Sequence, residues 1–184
     1  MVIVKPNSSG IKKAVAVIKK NGVIVYPTDT AYALGGFFDS SAVARKILTI
    51  KQRTDRKFTL IAGNQKQVEN FFKLSSLSKK ITKQYWPGPL SLIVSRRFAV
   101  RVPKNRIAKL LAQRAGKPLI ATSANLSGGT APYDSTAIIR QFSNKKNKPD
   151  LLIDAGRLRQ RKISTIIRVT AKKITVIRPG AITI

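Results

Sequence analysis

Short apolar runs rich in β-branched residues recur along this chain, and longer amphipathic stretches separate them. That alternation restricts the fold to one that packs helices against a sheet. VIV at 2–4, VIVY at 23–26, KFTLIAG at 57–63, LSLIV at 90–94 and FAVRV at 98–102 read as strands. So do PLIA at 118–121, LLID at 151–154, STIIRV at 164–169 and KITVI at 173–177. Residues 8–20 read as a helix capped by Ser8 or Ser9, with Ile11, Ala14, Val17 and Ile18 on one face. Asn21-Gly22 stops it. Helices are also expected over 40–51, 65–72, 75–85, 105–115 and 134–142, while WPGP at 86–89 cannot continue one. The mixture implies an α/β or α+β arrangement with one sheet system, in a single domain over 1–184. Two polar, basic segments, 143–149 and 157–162, read as loops.

Composition narrows the chemistry. The chain has no histidine and no cysteine, which removes imidazole bases, thiol nucleophiles, disulfides and His-ligated metals. Lys plus Arg number 36 against 7 Asp plus Glu, a formal charge of +29. Such a chain attracts polyanions, whether RNA, DNA, an anionic membrane surface or a phosphorylated small molecule. A uniformly basic proteome is the bland alternative. No apolar run reaches the roughly 18 residues of a membrane span, and the N-terminal segment lacks the pattern of a secretory signal. A cytoplasmic location is the expectation.

Polar groups collect where strands end. Pro27 closes VIVY, and Thr28, Asp29, Thr30 and Tyr32 follow. These hydroxyls either meet a ligand or satisfy a turn through their own backbone. Lys51 and Arg53 end a helix, where they either complete its C-terminal turn or clamp an anion. In IATSANLSGG at 120–129, Ser123 and Asn125 lie two apart and point the same way in extended backbone. Arg168 and Arg178 stand near strand ends. Neither GxGxxG nor GxxxxGK[ST] occurs, so neither a dinucleotide fingerprint nor a Walker loop is supported.

PTDTAYAL, KQR, YWPGPLSLIV, AVRVP, TSANLSG, STIIR and IRPG, in that order, resemble the YrdC-like family of L-threonylcarbamoyl-adenylate synthases. The likeness runs from about residue 8 to residue 180 and matches the short form that lacks an extra C-terminal domain. It implies an α/β fold: a twisted, mostly open mixed β-sheet with flanking helices and a concave basic face. It implies condensation of L-threonine, bicarbonate and ATP to threonylcarbamoyl-AMP and pyrophosphate. The product serves N6-threonylcarbamoyladenosine formation at position 37 of tRNA.

The family's KxR…SxN tetrad maps onto Lys51, Arg53, Ser123 and Asn125. Lys51 and Arg53 are the implied catalytic pair. ATP would meet Lys51, Arg53, Ser123, Asn125, Ser164, Arg168 and Arg178; threonine would meet Thr28, Thr30, Tyr32, Arg53 and Thr122. Mg2+ would bridge the phosphates, with no metal ligand from the protein. Implied partners are the small-molecule substrates, tRNA or double-stranded RNA and the threonylcarbamoyl transferase machinery, without a membrane. Replacing Lys51 or Arg53 by Ala is expected to abolish synthesis and spare the fold.

Ala33 departs from the pattern where the family has Gly, which matters if φ is positive there. Thr54 stands in place of Pro, Ser91 in place of Thr and Asp29 in place of a frequent Glu. The chief alternative is a non-enzymatic RNA-binding protein using the basic face. Another is carbamoyl-adenylate chemistry on a different acceptor, as in homologous domains of hydrogenase-maturation proteins.

Overall fold

The structure is a computed structural model that describes residues 1–171 and 173–184. Strands β1 Val2–Val4, β2 Ile24–Pro27, β3 Tyr32–Gly35, β8 Thr122–Ser123 and β9 Leu151–Ile153 build a five-stranded sheet in the order β1-β9-β2-β3-β8. Strands β4 Phe58–Ile61, β5 Leu90–Ile93, β6 Phe98–Arg101, β7 Leu119–Ile120, β10 Thr165–Val169 and β11 Ile174–Arg178 build a six-stranded sheet, β11-β10-β5-β6-β4-β7. Both mix parallel and antiparallel pairs. The helices are α1 Ser8–Lys19, α2 Ser41–Lys51, α3 Gln65–Phe71, α4 Ser76–Tyr85, α5 Arg106–Ala115 and α6 Ser135–Phe142.

The α/β reading stands, but the strands divide between two sheets rather than one. Residues 119–123 make the division: β7 pairs with β4 in one sheet, and β8, one residue later, pairs with β3 in the other. The sheets approach closely there. The Ile120 N–H donates to the Gly36 carbonyl at 2.9 Å, and Phe37 bridges Leu119. A Cβ at Gly35 would stand 1.7 Å from the Ile120 carbonyl oxygen, so only glycine permits this contact. The Tyr26 hydroxyl, fully buried, donates to that same oxygen at 2.7 Å.

Helix starts follow ordinary capping chemistry. Asn7, not Ser8 or Ser9, caps α1, its side chain accepting from the Gly10 N–H at 2.9 Å. The inward face is Ile11, Ala14, Val15 and Ile18, with Val17 only half-buried. Ser40, Asn64, Ser75, Asn105 and Asp134 cap α2 to α6 in the same way. Strand β2 is buried on both faces: Val23 and Val25 enter one apolar cluster, Ile24 and Tyr26 the other. Strand β3, YALG, carries no β-branched residue, so local propensity does not mark it as a strand. It forms through its hairpin with β2, in which Val25 pairs with Leu34 and Tyr26 with Ala33.

Replacing Tyr26 with Phe removes the donor that joins the two sheets. Urea denaturation should show a loss of about 1–2 kcal/mol with an unchanged m value. An unchanged midpoint would show that the hydroxyl does not hold the junction.

Candidate active site

Alternation along strands gives one face of the six-stranded sheet to a cavity. Ser164, Ile166 and Arg168 on and beside β10 line it, as do Ile93 and Ser95 at β5, Arg97, Ala99 and Arg101 at β6, and Lys57 and Thr59 at β4. These members are spaced by two, as residues on one face of a strand must be; Phe58, Arg96 and Phe98, which fall between or beside them, line the cavity as well. The edge of the other sheet closes the side with Thr28, Thr30, Ala31, Tyr32, Ala33, Thr122 and Ser123. The cavity volume is about 580 Å³, and among the described residues no Asp or Glu lines it.

Helix α2 ends so as to send Lys51 and Arg53 to different places. Gln52 takes a left-handed conformation at φ 53°, and the Arg53 N–H donates back to the Leu48 carbonyl at 3.0 Å. Lys51 turns inward and is only 3% exposed. Its ammonium donates to the Ser123 and Asn125 carbonyls, each at 2.6 Å, and to Asn125 Oδ1 at 3.3 Å. All three of its N–H groups are therefore committed to the 123–125 segment. Burial, and then the Arg53 charge, push its pKa down to about 8. Asn125 is buried as well, and its amide donates to the Gly129 carbonyl. Neither Lys51 nor Asn125 lines the cavity; they shape the loop that presents Ser123 to it. Arg53 does line it. Its Nη2 donates to Asp55 at 2.9 Å and to the Lys57 carbonyl at 2.7 Å, and its guanidinium lies over the Phe58 ring. The Lys57 backbone N–H, followed by Arg53, holds the Asp55 carboxyl below its ordinary range.

The turn after β2 is built by its own hydroxyls. Thr28 Oγ1 donates to the Ala31 carbonyl at 2.7 Å and accepts from the Thr30 and Ala31 N–H groups. Asp29 orients Arg101: Oδ1 accepts from Nη1 at 2.6 Å, and Oδ2 accepts from the Lys104 N–H at 3.1 Å. Arg101, 4% exposed, also donates to Thr30 Oγ1 at 3.1 Å. The Tyr32 ring lines the cavity, but its hydroxyl donates to the Gly156 carbonyl and accepts from the Ala155 N–H. Burial raises its pKa, against the lowering effect of that Ala155 bond. Tyr32 thus offers shape rather than a free hydroxyl. Ala33 is an ordinary strand residue paired with Tyr26 and Ser123. Among the described residues, positive φ outside glycine occurs only at Asn21 and Gln52, so the position demands no glycine.

At the far wall Arg178 Nη2 donates to the Ser164 carbonyl at 2.8 Å and to its Oγ at 3.1 Å, and Ser164 Oγ lies 3.0 Å from Ser91 Oγ. Burial, then Arg101, lower the Arg178 pKa. The chain reaches this wall because Gly180 fits against residues 163–165, where a Cβ would lie 2.4 Å from the Ile163 carbonyl oxygen. Arg168 lines the cavity from an exposed position. Thr28, Thr30, Tyr32, Arg53, Thr122, Ser123, Ser164, Arg168 and Arg178 thus come together in one cavity. Lys57, Arg96, Arg97 and Arg101 line it too and were not singled out as ligands from the sequence. Strand alternation was the available signal for Arg101: Ala99 and Arg101 share a face on FAVRV.

A family model for Sua5, YciO and YrdC, described as "Telomere recombination", matches residues 16–180. The chain belongs to this family. It is 31% identical to the uncharacterized protein YciO of Escherichia coli K12 over 95% of this chain and 91% of that protein. It is 34% identical to the threonylcarbamoyl-AMP synthase of Psychromonas ingrahamii over 80% of this chain and 85% of that protein. The crystal structure of P. abyssi Sua5 complexed with L-threonine superposes with a TM-score of 0.84 at 29% identity. That match covers 97% of this chain and 56% of the Sua5 chain.

The geometry separates the two cations that the sequence treats alike. Lys51→Met strands three acceptors, two of them buried, and should cost about 2–4 kcal/mol in urea unfolding. Arg53→Met breaks a partly exposed pair and should cost less than about 1 kcal/mol. Equal costs for the two would contradict a structural role for the Lys51 ammonium.

Proposed function

We propose that this chain is an L-threonylcarbamoyl-adenylate synthase, joining L-threonine, bicarbonate and ATP into threonylcarbamoyl-AMP, pyrophosphate and water. The observation that carries this reading is the cavity itself, where hydroxyl-bearing turns face a set of arginines and no carboxylate intrudes. Membership of a family that includes proteins named threonylcarbamoyl-AMP synthase supports it, as does the likeness to a threonine-bound Sua5.

The chemistry suits a chain without histidine. The threonine amine captures carbon dioxide or bicarbonate as a carbamate. A carbamate oxygen then attacks the α-phosphorus, and the bond to the β-phosphate oxygen breaks. The protein supplies charge neutralisation and alignment rather than a covalent nucleophile. Thr28, Thr30, Thr122 and the Tyr32 ring shape the threonine end, beside Arg101 and Arg53. Ser123, held by the Lys51 ammonium, and Ser164, Arg168 and Arg178 on the opposite wall hold the nucleotide. Lys51 and Asn125 act on it through the loop geometry they enforce. Exposed Ile163 and Ile177 give that wall an apolar surface suited to a base. Among the described residues no acid lines the walls to hold a metal, so Mg2+ would come bound to the nucleotide and would supply neutralisation of phosphate charge.

The product is an activated threonylcarbamoyl group, to be consumed by a transferase acting on tRNA in the cytoplasm. Arg157, Arg159, Arg161 and Lys162 are exposed beside the cavity, because the Leu158 N–H donates to the carbonyl of Tyr133, a wall residue. That basic loop is where tRNA would touch.

Protein incubated with ATP, Mg2+ and bicarbonate should release pyrophosphate and form a carbamoyl adenylate only when L-threonine is added. Tight RNA binding without any threonine-dependent turnover would favour a binding module and overturn the enzyme reading.

A further inference from the structure

The basic loop at 157–162 is fastened at its ends and hardly at all between them. Before it, the Ala155 N–H donates to the Tyr32 hydroxyl at 2.9 Å, and that hydroxyl donates to the Gly156 carbonyl at 2.8 Å. Gly156 takes a left-handed φ of 67°, with open space where a Cβ would stand. Two residues on, Leu158 is half-buried, and its N–H donates to the Tyr133 carbonyl at 2.7 Å. Beyond the loop, the Ile163 carbonyl accepts from the Ala181 N–H at 2.9 Å. Among the described residues, the one hydrogen bond to residues 159–162 runs from the Tyr133 hydroxyl to the Arg161 carbonyl, and at 3.5 Å it lies at the limit of such a bond. Arg159, Gln160, Arg161 and Lys162 are all exposed.

Three of the residues that fasten this loop, Tyr32, Tyr133 and Ile163, line the cavity. The loop therefore runs along the cavity's rim. Its charge decides which way it moves. It carries Arg157, Arg159, Arg161 and Lys162, of which only Arg157 lies opposite an acid, Asp134, among the described residues. The cavity walls are basic too. An empty cavity therefore repels the loop, over the roughly 8–10 Å that exposed charges reach at physiological salt. A nucleotide reverses that sign, because its phosphates attract the same side chains. The ligand thus interacts differently with the open and closed positions, which is what a shift between them requires. A segment with few hydrogen bonds and little burial moves at small cost. Closing it keeps water from a mixed anhydride that water hydrolyses.

We propose that residues 157–162 are a cover, pivoting at Gly156, that closes over the cavity when an anionic nucleotide fills it. The proposal rests on the adenylate-forming reading, and it gives the basic loop a role toward the cavity in addition to its RNA contact. L-Threonine alone carries no net charge at neutral pH and leaves the cover open. The nucleotide closes it through Arg159, Arg161 and Lys162, whose side chains have no fixed partner in the open position among the described residues.

The test is limited trypsin digestion with the cut positions read by mass spectrometry, using α,β-methylene-ATP with Mg2+ so that no turnover occurs. Cutting after Lys145, exposed and outside the cavity, is the internal reference. At a concentration that calorimetry shows to be saturating, the analogue should slow cutting after Arg159, Arg161 and Lys162 by at least about fivefold against that reference. Adenosine, which carries no phosphate, should not slow it. An Arg159→Gln/Arg161→Gln variant keeps the Lys162 site and should lose the slowing, with an unchanged thermal midpoint because both residues are exposed. Undiminished cutting in the wild type with the analogue bound overturns the cover and leaves the enzyme reading standing. Slowing by adenosine, or slowing that persists in the variant, overturns closure by charge. Absence of any analogue binding by the wild type overturns both the cover and the enzyme reading.

Discussion

The Lys51 ammonium fixes the segment that presents Ser123 to the cavity. It sits at the end of α2 and grips the two carbonyls that bracket Ala124. The gripped segment continues directly from residues 119–123, where the chain passes from one sheet to the other. Gly35 and Tyr26 bring the sheets together at Ile120, and Lys51 secures the chain a few residues later. A buried ammonium with three acceptors is stable where it stands; a buried ammonium with fewer would shed its proton or pull in water. The loop therefore has little freedom to rearrange without disturbing the helix end that supplies the lysine.

Charge is distributed with the same economy. Of the cavity arginines, Arg101 is neutralised by Asp29 and Arg53 by Asp55. Neither acid lines the cavity, so each acts from behind and leaves the front of its arginine turned toward the space. Asp29 also accepts from the Lys104 N–H, which fixes the carboxylate and through it the guanidinium. The remaining cations at the walls have no such partner among the described residues. An overall charge of +29 makes basic surface common on this chain; what is local is that Asp29 and Asp55 pair with cavity arginines without lining the cavity themselves.

The helices were legible because capping residues and apolar periodicity agree: each expected helix lies within a residue or so of the observed one. Longer strands were legible from β-branched runs. Strands β3 and β8 were not, because hairpin geometry and the passage between sheets create them rather than propensity. The candidate ligands at strand ends were legible as clusters of hydroxyls and arginines. Their depth was not. No local signal distinguishes Lys51 from Arg53, since the difference arises from a left-handed Gln52 that turns one inward and the other outward. Likewise Tyr32 has a hydroxyl in the sequence but none to spare in the fold, because residues 155–156 consume it. Lys57 and Arg97 stand far apart in the chain, and only the β4–β6 register makes them neighbours.

These placements constrain how the proposed reaction can run. Among the described residues no carboxylate lines the walls, and the chain has no imidazole, so in the proposed reaction no strong general base would face the threonine amine. Asp29 is committed to Arg101 and Lys104, and the lowered pKa of Lys51 has no outlet while its nitrogen is surrounded by carbonyl oxygens. The amine must therefore give up its proton to solvent or to bicarbonate, a step that bulk equilibria supply. What water cannot supply is the alignment of a weakly nucleophilic carbamate with a phosphorus that carries several negative charges. In the proposed reaction, arginines oriented from behind by acids or by aromatic rings would lower that barrier without reorganising. A cavity built this way catalyses by position and charge, which is the kind of catalysis a chain without histidine or cysteine can provide.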